Sequence, residues 1–241
     1  MRLKIDLHIH TLYSDGHGTV DEVLETALDK GLDGVSITDH GTLEGYFESR
    51  ASDCGLLVLP GFEVETDAGH VLVLGLEKLP PVVGKMGYEE LIGWARGLGG
   101  LTVLAHPAAG RFRLERWMRS KPDVVEVFNA SYPFGYLVRR GLRLAERLGL
   151  PAVGGSDAHR PRTVGDAFTV VEVGNLDSGN VIEAIRGGSV GFEGTLSPLH
   201  NRIGMGVGFL AHNLLGKFTR MMRRESRAAR VSPGRARVSI F

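Results

Sequence analysis

Cysteine and long apolar runs are scarce in this chain of 241 residues. Cys54 is its single cysteine, which excludes an intrachain disulfide and a cysteine-rich zinc site and favours a reducing, cytoplasmic compartment. The apolar stretch at 203–216 is too short and too interrupted to span a bilayer, and no secretory signal precedes the first strand-like run. A P-loop is absent, so no phosphate-cradling loop is indicated.

Net charge is also lacking, because 28 Lys and Arg balance 28 Asp and Glu. The balance hides an asymmetry: residues 200–241 hold nine basic residues and one acidic residue, which leaves 19 basic and 27 acidic residues in 1–199. We therefore expect a barrel domain at 1–199 and a basic, partly mobile C-terminal extension at 200–241. The acidic body suits a cation site. The extension could neutralise nucleic-acid phosphates or, through Phe218, Met221 and Met222, pack an apolar stripe against the body.

Strand-like and helix-like segments alternate along the chain, beginning with KIDLHIH at 4–10 and the helical pattern TVDEVLETALDKG at 19–31. Thr19 and Glu22 form a capping box there, and Gly31 is a stop signal. This order predicts a mainly parallel α/β sheet, either open or closed into a (β/α) barrel. Ionisable side chains stand at the end of one strand-like segment after another. In a barrel the carboxyl ends of all strands face one rim, whereas an open sheet offers a single switch point, so the strand ends favour the barrel.

Two short motifs place pairs of metal-ligating side chains on one face of a strand end. In HIH, His8 and His10 point the same way, and in SDAH the same spacing holds for Asp157 and His159. Imidazole and carboxylate donors without thiolates suit zinc, manganese or iron. The candidate ligands are His8, His10, Asp15, His40, Glu63, His70, His106, Asp157 and His159. They exceed what one ion can use, so two or three divalent metal ions are expected, with Glu63 as a bridging carboxylate.

The motifs HIH…SDG, SITDH, PGFEVET, LAHP and GSDAH, in this order and spacing, resemble the PHP (polymerase and histidinol phosphatase) family. The resemblance covers about residues 3–195 and implies a distorted (β/α)7 TIM-like barrel with a trinuclear metal cluster at the carboxyl ends of the strands. It implies three sets of ligands: His8, His10, Glu63 and Asp157; Glu63 and His106 with another donor, for which His70 is the candidate; and Asp15, His40 and His159. An amidohydrolase shares the HxH motif but also needs a metal-bridging lysine at a middle strand end, and none is visible.

Three further residues are assigned to catalysis rather than to metal binding. Asp39 adjoins a candidate ligand but must point differently from it, so we expect it to orient a ligand from outside the coordination sphere. Arg113 and Arg160 follow LAHP and SDAH and are candidates for bidentate contacts with phosphate oxygens. Arg111 and Arg162 are the alternatives at the same two places.

A metal-dependent phosphoesterase is therefore the expected function. Clustered metal ions lower the pKa of a bridging water and clamp the phosphate oxygens, so no side-chain nucleophile is required. Two kinds of substrate stay open: a nucleotide or oligonucleotide end, which we favour for a small free-standing chain of this kind, and a small molecule such as histidinol phosphate. The alternative from another class is a metal-binding regulatory domain without activity. It predicts missing ligands, whereas the full set is present here.

Overall fold

The computed structural model describes residues 1–52, 54–82 and 86–202 of the chain. The strands of this part are β1 (Arg2–Ile9), β2 (Gly34–Ile37), β3 (Leu57–Thr66), β4 (Gly69–Leu74), β5 (Leu101–Leu104), β6 (Val124–Asn129), β7 (Ala152–Gly155), β8 (Ala167–Glu172) and β9 (Val190–Gly194). Its α-helices are α1 (Val20–Asp29), α2 (Glu44–Arg50), α3 (Tyr88–Gly97), α4 (Leu114–Arg119), α5 (Tyr136–Leu148) and α6 (Ser178–Arg186). The basic extension from residue 203 onward, with the stripe and the mobility expected of it, lies outside the described residues.

The strands form one sheet that closes on itself as a barrel. Their order is β7-β6-β5-β4-β3-β2-β1-β8-β9, and the ring closes where Ile9 of β1 bridges Ala158, just beyond β7. Nearer its start, β1 pairs antiparallel with β8. The mixed α/β barrel confirms the expected fold class. It departs from a regular seven-stranded ring because β1 has eight residues and β7 only four, which leaves half of β1 for the antiparallel pair of β8 and β9 to cover.

One strand of the ring runs against the others. β1, β2 and β3 pair in parallel, as do β5, β6 and β7, whereas β4 is antiparallel to both of its neighbours. The sheet is thus less parallel than the sequence indicates. After the turn that follows β3, β4 begins at Gly69 with φ 118°, a conformation that favours glycine. Because β4 begins at the rim where the parallel strands end, its second residue, His70, lies at that rim.

The helices are only partly predictable from their patterns. α1 begins as expected, because Thr19 Oγ1 accepts the Glu22 N–H at 3.3 Å and Glu22 Oε2 accepts the Thr19 N–H at 2.9 Å. The sequence does not indicate α2 or α4, which have seven and six residues and no side-chain N-cap. Helices this short show too little of the helical period to be recognised and depend on tertiary packing. In α4 that packing includes Trp117, whose buried indole N–H donates to the Ala68 carbonyl at 2.9 Å.

The segment after β9 returns to the barrel rim. The Ser197 N–H donates to the Ala130 carbonyl at 2.9 Å. The Arg202 guanidinium donates to the carbonyls of Tyr132 and Pro133 at 3.0 and 2.9 Å. The first residues of the expected C-terminal extension therefore lie against the barrel. None of the described helices combines the length and the apolar character that a membrane span requires.

Candidate metal centre

The nine predicted ligands meet at one end of the barrel, where the parallel strands end and β4 begins. His8 lies on β1, Glu63 on β3 and His70 on β4, and the others follow the ends of β1, β2, β5 and β7: His10, Asp15, His40, His106, Asp157 and His159. Contacts of 3.5 Å or less between side-chain nitrogen and oxygen atoms join every one of the nine to another member. The structure therefore brings the whole predicted set together.

Glu63 is at the centre of this cluster. Its side chain is 1% exposed, and its two oxygens face different histidines. Oε2 lies 3.3 Å from His8 Nε2 and 3.2 Å from His10 Nε2. Oε1 lies 2.9 Å from His70 Nδ1 and 3.2 Å from His106 Nε2. A carboxylate with one oxygen toward each pair of histidines occupies the position that the sequence assigns to a bridging ligand.

Four groups of three residues have ligand atoms that all lie within 4.8 Å of one another. They are His8, His10 and Glu63; His8, His106 and Asp157; His10, Asp15 and His159; and Glu63, His70 and His106. The first lies within the first set that the family resemblance implies. The last is the second set with His70 as its further donor, and His70 reaches the cluster because β4 is reversed.

The set implied for the third ion differs in one member from the group that the structure brings together. Asp15 and His159 are in contact at 3.2 Å, and the third residue that converges with them is His10. His40 lies slightly farther away, with its Nε2 3.7 Å from Asp15 and its Nδ1 3.5 Å from Glu63. His40 therefore lies between Asp15 and Glu63, which belong to different convergent groups.

The donor set fits divalent cations. The Nε2 atoms of His8 and His10 are buried and only 3.1 Å apart. His8 Nδ1 contacts Glu126 Oε1 at 3.0 Å. Because a carboxylate accepts the proton at Nδ1, the Nε2 lone pair of neutral His8 is directed into the cluster. His10 Nδ1 is also buried and has no hydrogen-bond partner among the described residues. Converging imidazole nitrogens and carboxylates without thiolates are typical ligands of zinc, manganese and iron.

Opposite charges outweigh burial in setting the pKa values of Asp157, His159 and Glu63, whereas burial lowers the pKa of His40. Burial raises the pKa of Asp157, but nearby His8 and His159 hold it at about 2. Burial lowers the pKa of His159, but its hydrogen bond to Asp15 and the charge of Asp157 raise it to about 9. The histidines around Glu63 likewise hold the pKa of that carboxyl well below its usual value in spite of its burial. The carboxylates of Asp157 and Glu63 are therefore ionised, and cations that bind here replace protons on His8, His70 and His159, whose pKa values are raised.

Two predicted ligands adopt the left-handed backbone conformation. His106 has φ 30° and Asp157 has φ 52°, and they are the non-glycine residues with positive φ in the described ranges. Hydrogen bonds fix both: the His106 N–H donates to Glu126 Oε2 at 2.7 Å, and the Ser131 hydroxyl donates to the Asp157 carbonyl at 3.1 Å. Backbone conformations of this kind cost energy and concentrate at functional sites.

Asp39 is buried beside the cluster and holds the loop that follows β1. Its Oδ1 accepts the Thr11 N–H at 2.7 Å and the Ser14 hydroxyl at 2.6 Å, and its Oδ2 accepts the Thr11 hydroxyl at 2.6 Å. The next residue of that loop is Asp15. Asp39 therefore holds the backbone of the loop that carries the predicted ligand Asp15, without a direct contact to Asp15.

A cavity of about 880 Å³ opens above the cluster, and eight of the nine predicted ligands line it. Arg113 and Arg160 line it as well, as does Arg111. Arg162 instead donates to Asn201 Oδ1 at 2.7 Å. Arginines beside a concave group of metal-ligating side chains suit a ligand with phosphate oxygens.

Several residues at this end of the barrel escape prediction from the sequence. His17 and His200 line the cavity, although the sequence indicates no role for His17 and assigns His200 to the extension. Glu126 and Asn129 of β6 are buried beside the cluster. The available signal for Glu126 is a carboxylate inside the otherwise apolar run VVEVF, since a buried strand accepts a charge only where it has partners.

Two family models match the chain. One, described as PHP domain, matches residues 6–106, and the other, described as PHP-associated, matches residues 136–190. Together the two ranges contain all nine predicted ligands.

Known proteins of several kinds resemble the chain. It is 35% identical over 150 residues to the uncharacterized protein MJ1587 of Methanocaldococcus jannaschii, which is 55% of this chain and 85% of that protein. It is 24% identical to the 3′,5′-nucleoside bisphosphate phosphatase of Chromobacterium violaceum, over 66% of this chain and 88% of the relative. A solved two-domain protein from Bacteroides vulgatus, described as containing a predicted PHP-like metal-dependent phosphoesterase, matches with a TM-score of 0.70 and 19% identity. That match covers 81% of this chain and 65% of the other.

Proposed function

Because the chain belongs to the PHP family of metal-dependent phosphoesterases, we propose that it hydrolyses the phosphoester bond of a nucleotide or of an oligonucleotide end. The observation that carries this proposal is the cluster of histidines and carboxylates at the floor of a cavity that arginines also line. Hydrolysis of a phosphoester requires a nucleophile and neutralisation of the phosphate charge. Metal-ligating side chains and arginines in one cavity can provide both.

Different residues of the chain would have different roles in the reaction. The nine predicted ligands would hold two or three divalent ions, with Glu63 shared between two of them. Such ions, when bound, activate water near neutral pH and offset the charge of the phosphate. Arg113 and Arg160 would bind the non-bridging phosphate oxygens and so orient the phosphoester. Asp39 would keep Asp15 in place by holding the loop between Thr11 and Ser14.

Two observations support a nucleotide over a smaller phosphate ester. The cavity of about 880 Å³ is within the range of sites that enclose a drug-sized ligand, so it has room for a nucleoside as well as a phosphate. The relative from Chromobacterium violaceum carries a name that describes a nucleoside bisphosphate phosphatase. A small-molecule phosphatase of the histidinol phosphate type is the second candidate, and both use the same cluster.

The test is metal content and hydrolysis on the same preparation of the full chain. We expect two or three divalent ions per chain by mass spectrometry, and faster hydrolysis of a nucleoside 3′,5′-bisphosphate or a short oligonucleotide than of histidinol phosphate. His10→Ala should lose metal and lower turnover by at least about 100-fold, since loss of an outer partner alone costs 10- to 100-fold. His17→Ala is the matched control for metal content, because His17 lines the same cavity but belongs to none of the convergent groups.

Fewer than two ions per chain, or hydrolysis that His10→Ala leaves unchanged, would contradict a metal-dependent reaction at this cluster. A chain that hydrolyses histidinol phosphate faster than every nucleotide or oligonucleotide tested would keep the reaction class and replace the proposed substrate.

A further inference from the structure

We infer that Glu126 and Asn129 of β6 are positioning residues that fix His8, His106 and Asp157 for metal binding. The inference rests on the proposed metal-dependent function and adds two residues that lie outside the nine predicted ligands. Both side chains are buried, at 1% and 0% exposure. A buried carboxylate that is not itself in any of the convergent ligand groups needs another reason to be there.

Glu126 determines which nitrogen of His8 carries the proton. Its Oε1 lies 3.0 Å from His8 Nδ1. Because a carboxylate only accepts, the Nδ1 of His8 must donate, and the Nε2 lone pair is left for a cation. The Nε2 atom is the one that lies 3.3 Å from Glu63 Oε2 and 3.1 Å from His10 Nε2. Glu126 thus holds His8 in the tautomer and ring orientation that a metal ligand needs.

The other oxygen of Glu126 fixes a second predicted ligand through its backbone. Oε2 accepts the N–H of His106 at 2.7 Å, and His106 is one of the two left-handed non-glycine residues in the described ranges. A charge-assisted hydrogen bond to that N–H stabilises a conformation that the chain would otherwise leave. That conformation directs His106 Nε2 to Glu63 Oε1 at 3.2 Å.

Asn129 extends the same arrangement to a third predicted ligand. Its Nδ2 donates to Glu126 Oε2 at 3.0 Å and lies 3.2 Å from Asp157 Oδ2. Its Oδ1 accepts the Ser131 N–H at 2.9 Å, which sets the orientation of the amide. One amide therefore links the two carboxylates, so that Asp157 is held with its other oxygen, Oδ1, 3.5 Å from His8 Nε2.

The neighbouring strand leaves room for this contact. A Cβ atom at Gly155 of β7 would lie 2.8 Å from Glu126 Oε1 and 2.8 Å from His8 Cβ. Real Cβ atoms do not approach other atoms so closely. The glycine thus lets His8 and Glu126 meet between β1 and β6, which a larger residue would prevent.

The test measures Co²⁺ binding to the full chain by competition with a chelator, together with the visible absorption of the bound ion. Glu126→Gln keeps the shape but places an NH₂ group against at least one of the three donors, so we expect Co²⁺ affinity to fall 10- to 100-fold and the absorption spectrum to change. Asn129→Ala should weaken Co²⁺ binding as well, and it serves if Glu126→Gln does not fold.

The matched control is Asp123→Asn, which removes a carboxylate from the same β5–β6 pair at the opposite end. Asp123 Oδ2 accepts the Thr102 N–H and hydroxyl, both at 2.7 Å. It should lower the melting temperature and leave Co²⁺ affinity and spectrum unchanged. Folded Glu126→Gln or Asn129→Ala protein that binds Co²⁺ within threefold of the unsubstituted chain, with the same spectrum, would overturn the inference and leave the proposed function standing. An unsubstituted chain that binds no Co²⁺ would overturn both.

Discussion

Glu63 shows how much of the site depends on one side chain. Its two oxygens face two pairs of histidines, so Glu63→Gln weakens two of the convergent groups at once. His159 belongs to one group only. We therefore expect Glu63→Gln to lose at least two ions per chain and His159→Ala to lose one. Mass spectrometry of the dialysed proteins measures the difference.

Glu65→Gln is the control for that comparison. Glu65 is on the same strand two residues further along, is exposed, and belongs to none of the convergent groups. It should keep the full complement of ions. A Glu63→Gln protein with as many ions as the Glu65→Gln protein would refute a shared role for Glu63.

The sequence could predict the nine residues of the cluster because strand ends carry a local signal. HIH and SDAH are predicted as pairs on one strand face from the two-residue period of a strand alone. In the structure Asp157 and His159 lie beyond the end of β7, and Asp157 is left-handed, but both still reach the cluster. Glu126 has no such signal for its partner, since its contact with His8 spans 118 positions of the chain. The contacts of residues that orient ligands depend on which strands become neighbours in the sheet, and the neighbours of a strand are determined by the whole fold.

At the scale of the elements, the presence of a strand is easier to predict from the sequence than its direction in the sheet. The pattern of GHVLVLGL predicts a strand, and β4 is found there. Its reversal depends on the tight turn at Gly69 and on pairing with β5, residues 101–104. This reversal places His70 at the rim. His70 is the ligand with the weakest support from the sequence, and its position depends on the direction of β4 in the sheet. The capping box of α1 was predictable because all of its atoms lie within four residues.

One buried hydroxyl joins β7 to β8. Thr169 Oγ1 donates to the Gly154 carbonyl at 2.7 Å and accepts the Gly154 N–H at 3.1 Å, and Thr169 is fully buried. Thr169→Val keeps the shape but leaves both backbone groups without this partner, so we expect a loss of about 2 kcal/mol in the free energy of unfolding. Urea denaturation measures it.

Thr169→Ser is the control for this hydroxyl, because it keeps the hydroxyl and removes a methyl group. We expect it to retain more stability than Thr169→Val. A Thr169→Val protein as stable as the unsubstituted chain would show that these hydrogen bonds do not contribute.

At the scale of the whole molecule, bound ions should stabilise the fold. Ligands from β1, β3, β4 and the ends of β2, β5 and β7 meet at the rim, so an ion there connects strands far apart in sequence and binds only the folded chain. Ions at 100 times their dissociation constant contribute about 2.7 kcal/mol, which corresponds to roughly 5–10 °C in melting temperature for a domain of this size. Calorimetry with a chelator, and then with Mn²⁺ restored, measures the shift.

The His10→Ala protein is the comparison for ion-linked stability. It should show a smaller difference between the chelated and the Mn²⁺-loaded states, since one shared ligand is gone. A melting temperature that the chelator leaves unchanged in the unsubstituted chain would mean that the ions do not contribute to folding stability.

The opposite charges of the body and the C-terminal extension lead to a prediction about long substrates. Deleting residues 217–241 removes eight basic residues and one acidic residue, while the described residues that line the cavity end at Asn201. If the extension binds nucleic-acid phosphates, the shortened chain should bind a single-stranded oligonucleotide more weakly. The slope of log affinity against log salt should become shallower by about 0.7 for each phosphate that the extension no longer neutralises.

Hydrolysis of a mononucleotide should stay the same, because its phosphate binds within the cavity. Fluorescence anisotropy at several salt concentrations separates the outcomes, and an unchanged slope would remove the extension from substrate binding and leave the proposed reaction at the cluster intact.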